Sequence, residues 1–563
     1  MRRRRVRQRA PAAFASIPRT AASNSGPGGR LGARLIVLGL ALATMIPACF
    51  RGDRLEWPPR PRGEWRGGVL RLAAREDVPT LDPALGYDTR SWFFEQHLFE
   101  TLVTYDDENA LVPALAERWE VASDLRRYRF HLVPGVVFSD GSPLTAADIV
   151  GSLERVLDPR TRSQGAEYYR GIRGARDFIA GRTAQVAGLA APDATTLTVE
   201  LDAPDPLFLH KLALMFAAVV PATLARALGD DFASRPVGSG PFVLREWRRG
   251  ERIVLARNPR YRRPGLPYLD GVVELVSVND ELAWLMFESG ELDVAGIPPA
   301  DFPAVKRDPG RAGQLLHATT LTTAYIGLNC EMPPLDDRRV RQAFNYAVSK
   351  TDLIALLAGR AVPARGIVPP NLPAYRSDVG GYPHDPARAR ALLAEAGRGD
   401  GFATELWTQG SDLDLKLAQK VQQDLARVGV TLAIKQVAWS AFLEAIRQPR
   451  TVPVFDLGWS ADFPDPSNFL DVLFHSRQRD ANNHTFYASA ELDRLLDRAR
   501  GLADRAERYR LYAEAERVLV EDAPVIFLYH PITYVIRHPR VHGYRIHALL
   551  PARLTEVWVD PDT

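Results

Sequence analysis

Two hydrophobic rhythms share this chain. Gly67 to Ala74 reads as a strand and ends in the loop Arg75 to Pro83, while Trp92, Phe93, Leu98, Phe99 and Leu102 recur at helical spacing over Ser91 to Val103. Arg127 to Leu132 and Thr195 to Leu201 alternate like half-buried strands, and a helix is predicted from Ala146, where Thr145 and Asp148 have capping-box spacing. That stretch predicts a small mixed lobe. After Pro221 the segments lengthen: strands are predicted at Arg252 to Ala256 and Val272 to Val278, and a helix at Glu281 to Ser289, stopped by Gly290. From Thr322 onward helices and strands alternate. Asp385-Pro386 opens a helix that Gly397 closes; Phe402 to Thr408 is a strand, Leu413 to Val428 a helix closed by Gly429, and Thr431 to Val437 a strand leading to Trp439. This order predicts a parallel, helix-covered sheet with its ligand at the strand ends.

With 563 residues the chain exceeds one ordinary core, so two or three lobes are expected. The 46% apolar and 25% charged content is that of a globular protein. Basicity is confined to the start. Residues 1–48 hold nine Arg and no acid, so removing them takes the net charge from +3 to −6 and leaves no reason to expect nucleic acid. The apolar run Leu35 to Ala48 is shorter than the ~20 residues a helix needs to cross a bilayer, and it leads into Cys49. A basic start, an apolar stretch and a small residue before the cut describe an export signal. Ile46-Pro47-Ala48-Cys49 resembles a bacterial lipobox, which implies acylation of Cys49, and the Pro- and Arg-rich segment 49–63 reads as a tether. An uncleaved anchor is the alternative. Cys330 is the other cysteine, so with Cys49 acylated the fold relies on its core and not on disulfides.

One segment carries chemistry: Gly458-Trp459-Ser460-Ala461-Asp462-Phe463-Pro464-Asp465-Pro466-Ser467-Asn468-Phe469. It follows a short apolar strand, Val452 to Leu457, and precedes a helix, Asn468 to Phe474. An acidic group between Trp459 and Phe463 at a strand end is suited to holding a cation in a partly dry place. No second catalytic partner accompanies it. The chain has no phosphate-cradling G-x-x-x-x-G-K-[ST], no H-E-x-x-H, no C-x-x-C and no G-x-S-x-G elbow, and calls for no cofactor. His538, His542 and His547 cluster near the C-terminus; they read as surface histidines rather than as a metal site.

Several segments in order resemble the solute-binding lipoproteins of peptide ABC importers, the extracellular family with oligopeptide- and dipeptide-binding members. They are Thr80-Leu81-Asp82-Pro83, Leu115 to Glu120, Phe138 to Asp148, Val237-Gly238-Ser239-Gly240-Pro241-Phe242, Ser289 to Asp293, Asp336 to Ala343 and the Trp459 segment. The resemblance implies an α/β, two-lobed flytrap fold of mixed sheets and flanking helices, with an extra inserted α+β lobe. It places lobe I at 64–90, 221–321 and 531–563, the insertion at 91–220 and lobe III at 322–530. It also implies an exported, membrane-anchored monomer that closes on a short peptide and delivers it to permease and ATPase subunits.

Carried over by resemblance, Asp462 takes a peptide's α-ammonium, Trp459, Trp439 and Phe463 line the pocket, and Tyr325 and Asn329 wall the cleft. Peptide main chain would pair with the protein like an added strand. Arg447 lies near a position where relatives bind the peptide carboxylate with Arg or His, whereas Asp456 stands where an Arg is expected. Other readings stay open. Trp439 and Trp459 also suit a core, Asp462 a cap and Arg447 a solvated helix face. The solute could instead be a nickel chelate, haem, an opine or an oligosaccharide. A secreted hydrolase is disfavoured by the missing nucleophile and base, and a DNA-binding regulator by the lack of room before the lobes.

Overall fold

The computed structural model describes residues 67–560 except 410, 411, 480 and 503, so the export signal, Cys49 and the tether lie outside the described residues. The first strand, β1 (Val69–Ala73), enters a four-stranded sheet, and helix α1 (Thr89–Leu98) follows it. Asp88 caps α1 by accepting the Arg90 and Ser91 N–H groups at 3.0 and 2.8 Å. The helical spacing predicted more helix, to Val103. It stops at Leu98 because the Val237–Phe242 segment crosses there: Gly240 N–H donates to Leu98 O at 3.0 Å, and a Cβ on Gly238 would stand 2.2 Å from that oxygen.

The insertion holds β2 (Ala116–Val121), β3 (Arg127–Leu132), α2 (Ala146–Leu157), β4 (Leu189–Asp193) and β5 (Thr196–Glu200). Its sheet, in the order β2-β3-β5-β4, is antiparallel throughout. The capping box is present: Asp148 accepts the Thr145 N–H at 2.9 Å and its hydroxyl at 2.8 Å. From α2, Arg155 reaches back to Asp82 at 2.7 Å, both buried, so the Thr80–Pro83 segment ties the insertion to the first lobe.

The chain returns through β6 (Phe242–Arg248), β7 (Arg252–Arg257) and β8 (Gly271–Leu275), completing the sheet β1-β8-β7-β6, in which only β1 and β8 are parallel. Asp293, fully buried, accepts Arg71 and Arg540 side chains at 2.9 and 2.8 Å. Two short strands, β9 (Val294–Gly296) and β10 (Leu315–Thr319), lead to the second lobe.

That lobe contains β11 (Thr322–Leu328), α3 (Arg338–Ala347), α4 (Lys350–Leu356), β12 (Ala361–Pro363), α5 (Pro386–Glu395), β13 (Phe402–Thr408), α6 (Asp412–Ala426) and β14 (Val430–Gln436). It continues through α7 (Trp439–Ile446), β15 (Val454–Ser460), α8 (Ser467–Phe474), α9 (Ala490–Arg500), α10 (Arg505–Asp522) and β16 (Val525–Arg537). The strand order is β9-β16-β11-β15-β13-β14, with β10 and β12 also on β16. The alternation predicted a parallel sheet. Only β13 with β14 and β13 with β15 run parallel; β11 is antiparallel to both neighbours. The reason is topological, since β11 enters the lobe and β16 leaves it, in opposite directions.

Apolar side chains pack on both faces of this sheet: Phe455, Phe469 and Phe527 on one, Ile326, Leu406 and Val421 on the other. The 13-residue β16 pairs with β11 through Tyr529 and with β10 from Ile532, so it passes from one lobe into the other. The short link Thr320-Leu321 between β10 and β11 is the second crossing. The two strand-like crossings between the lobes thus lie side by side.

Candidate functional site

β15 and the loop after it build the site. The strand was expected to end at Leu457, but it continues to Ser460 because β11 pairs with it along its whole length, from Leu328↔Val454 to Thr322↔Ser460. The other edge differs. β13 covers only Val454 and Phe455, and among the described residues no strand pairs with 456–460 on that side. Side chains alternate along β15: Phe455, Leu457 and Trp459 turn to one core, while Asp456, Gly458 and Ser460 share the opposite face, where Gly458 and Ser460 are exposed.

The loop then folds on Asn468. This buried side chain accepts the Trp459 indole N–H and the Asp462 backbone N–H, each at 2.9 Å, and donates to Asp462 Oδ2 at 3.1 Å. Asp465 fixes the next turn by accepting the Ser467 N–H at 3.1 Å, and it pairs with the buried Arg508 at 2.6 Å. The Asp462 carboxylate therefore has one orientation.

Two tyrosines from elsewhere complete it. Tyr168 of the insertion donates to Asp462 Oδ2 at 2.9 Å and Tyr87 of the first lobe at 3.2 Å, with the two hydroxyls 2.8 Å apart. Tyr87 leans on Phe216, ring centroids 5.2 Å apart, and Tyr168 stacks on the same ring at 6.0 Å. All three bonds converge on Oδ2, so among the described residues Oδ1 accepts none. Burial raises the Asp462 pKa, against the pull of Asn468, Tyr168 and Tyr87. Burial and the Asp462 charge push both phenols upward, which keeps them as O–H donors.

The other residues singled out in the sequence are more scattered. Trp459 stands on this network, half-buried. Phe463, 4% exposed, enters the core of the insertion, its ring 6.2 Å from His210. Tyr325 is buried in β11, on the Phe455 side. Asn329 is buried beyond the far end of β11, its amide donating to Val452 O at 3.2 Å and accepting the Glu331 N–H at 3.2 Å. Trp439 is 49% exposed at the start of α7 and stacks on Phe442. Arg447 is exposed at the end of that helix, where its charge acts on the buried His484. Trp459 and Asp462 thus share one network. Asn468, within the same segment, was a readable candidate. Tyr87 and Tyr168 had no local signal, being 375 and 294 residues from Asp462.

The three C-terminal histidines do not converge. His542 Nε2 lies 2.8 Å from Asp560, whereas the Nε2 atoms of His538 and His547 lie 2.9 and 2.7 Å from Phe287 O and Asp106 O. The surface reading needs correction for His547, which is buried under the Asp106 turn. The described residues contain no group of three or more His, Cys, Asp or Glu that could hold a metal ion. Cys330 is free, half-buried, its thiol pushed up to about 11 by burial.

Two α/β lobes joined by strand crossings, an inserted lobe and one oriented carboxylate between them define a solute-binding protein. Residues 110–481 match the family described as "Bacterial extracellular solute-binding proteins, family 5 Middle", and the chain belongs to that family. It is 31% identical to "Heme-binding protein A" of Haemophilus influenzae over 471 residues, 80% of this chain and 84% of that protein. It is 29% identical to "Glutathione-binding protein GsiB" of Escherichia coli K12 over 537 residues, 94% of this chain and 96% of that one. Among solved structures, the periplasmic binding protein DppA of Helicobacter pylori, in complex with the peptide STSA, superposes with a TM-score of 0.77 at 29% identity and covers 88% of this chain and 98% of that one. The fold is the two-lobed flytrap, and the protein is a solute-binding protein of the kind that serves ABC importers. No helix of the described residues is long and apolar enough to cross a membrane.

Proposed function

We propose that this protein captures short peptides, or close peptide-like amines, for import, holding the α-ammonium of the solute on Asp462 Oδ1. The observation that carries this reading is the one-sided hydrogen bonding of Asp462. Three donors orient the carboxylate through Oδ2 and leave Oδ1 for a cation, and an ammonium removed from water needs such a fixed anion. The edge at 456–460, which no strand of the described residues covers, begins six residues before Asp462, and an extended backbone adds to such an edge as a further strand. Backbone pairing gives affinity without demanding a sequence. The names of the glutathione-binding relative and of the peptide complex of DppA agree with an amine anchored this way, whereas haem brings no ammonium.

Closure follows from the origin of the three donors. Asn468 belongs to the second lobe, Tyr87 to the first and Tyr168 to the insertion, so the bonds at Asp462 form together only when the lobes meet. Solute there shifts the hinge equilibrium toward the closed form that a permease reads. The same reading includes the lobe limits set out above, a lipid on Cys49 and a monomeric receptor. Calorimetry with alanine tripeptides tests it: the free amine is expected to bind and the N-acetylated peptide to lose at least 100-fold. Equal affinities overturn the anchoring.

A further inference from the structure

Asp456 lies at the inner end of the strand that leads to Asp462, at the residue where β13 stops covering β15. Its face continues over Gly458, which has no side chain and is exposed, so a solute lying along β15 has an open path to it. From Asp456 to Ser460 the strand spans about 13 Å at ~3.3 Å per residue, the length of about four extended residues, with Asp462 just beyond. A peptide whose amine sits on Asp462 brings its other end to Asp456.

The surroundings of Asp456 suit one kind of end. Its carboxylate accepts a single 3.3 Å hydrogen bond, from the Thr408 hydroxyl, and no cationic side chain of the described residues pairs with it. Ile326, Leu406, Leu417 and Leu528 make an apolar wall around it, with Tyr529 beside them, and they leave a recess of about 10 Å³. That is close to the space of one water, and an ammonium is of similar size. The carboxylate of Asp414 also acts on Asp456, so burial and a like charge together push the Asp456 carboxyl up to about 7. A bound cation relieves both effects. A bound carboxylate adds to them, since like charges close together in a poorly solvated place repel strongly.

We infer that Asp456 is a specificity-determining residue: it selects peptide-like solutes whose end away from Asp462 is cationic or uncharged over those ending in a free carboxylate. This rests on the amine anchoring proposed above. A dibasic or C-terminally capped peptide, or a peptide-like diamine, is then the solute class of the cleft.

The test is calorimetry with alanine peptides of three to five residues in three forms: free C-terminal carboxylate, carboxamide, and carboxamide with lysine as the last residue. At the length that reaches Asp456, the wild-type chain is expected to bind the amide at least tenfold, and the lysine amide more than tenfold, better than the free acid. In Asp456→Asn, which keeps size and the Thr408 bond, the spread is expected to shrink below threefold. In Asp456→Arg it is expected to reverse, with N-acetylation still abolishing binding in every variant. Binding of all forms with equal affinity, or a preference unchanged in Asp456→Asn, overturns the role of Asp456 and leaves the amine anchor standing. Failure of every wild-type peptide to bind, or indifference to N-acetylation, overturns the anchor and with it this assignment.

Discussion

Tyr168 donates a 2.9 Å hydrogen bond to Asp462 from another lobe, 294 residues away in the chain. The lobe contact and the proposed ligand anchor are therefore one object. Asp462→Ala is expected to weaken binding of a free-amine tripeptide by ~2–5 kcal/mol, the range for truncating one partner of a buried charge pair. Tyr168→Phe keeps the ring on Phe216 and removes one bond to a charged group, so a smaller loss of about tenfold is expected. Titration calorimetry on both variants checks the order, and an Asp462→Ala protein with wild-type affinity contradicts it.

Phe463 belongs to the second lobe by sequence yet packs in the core of the insertion. Phe463→Ala opens a hole in that contact, a change that costs about 3–5 kcal/mol when the site cannot collapse. Because the contact joins two lobes, part of the loss is expected to appear as opening rather than unfolding. Small-angle scattering of the ligand-free variant should give a larger radius of gyration than wild type, with weaker peptide binding. An unchanged radius together with an unchanged Kd would mean that the side chain only fills space.

The pair Arg155–Asp82 holds the insertion to the first lobe, and both side chains are buried. Arg155→Ala strands the Asp82 carboxylate without its cation. A loss of about 3–5 kcal/mol in unfolding free energy is expected from guanidinium titration. The Arg155→Ala, Asp82→Asn double variant, which removes the stranded charge, should recover part of it.

Glu516 is buried in α10 and accepts the Val368 N–H at 2.8 Å, yet burial pushes its carboxyl from 4.5 up to about 7. The folded state therefore binds a proton that the unfolded state has already released. Its contribution is fully present below about pH 4.5 and is lost as pH rises through about 7. Over the full span this amounts to roughly 3 kcal/mol. Glu516→Gln should flatten the fall in melting temperature between pH 5 and 8, and identical pH profiles for the two proteins would refute the assignment.

Much of the fold was legible in local patterns. The capping box at Thr145 and the strand Phe402–Thr408 appear where the spacing put them, since each depends on neighbours within a few residues. Most of the segments that carry the resemblance turn out to be supports. Asp82 and Asp293 are buried ion-pair partners, Gly238 and Gly240 let the backbone cross the end of α1, and the Arg341 guanidinium donates to the carbonyls of Leu335 and Asp336 at 2.9 and 3.0 Å. Of these segments, the Trp459 segment alone reaches the candidate site.

By itself the sequence determined the elements, the family resemblance, and the presence of an acidic group at a strand end with no catalytic partner. Those depend on periodicity and on residue order, which are local. Tertiary structure alone decided that Tyr87 and Tyr168 meet on one oxygen of Asp462, that Phe463 turns into a neighbouring core, and that no strand of the described residues covers the β13 side of β15 from Asp456 onward. Each is a contact between segments hundreds of residues apart, or the place where one strand stops beside another. Such relationships arise when lobes pack, so no window of sequence contains them.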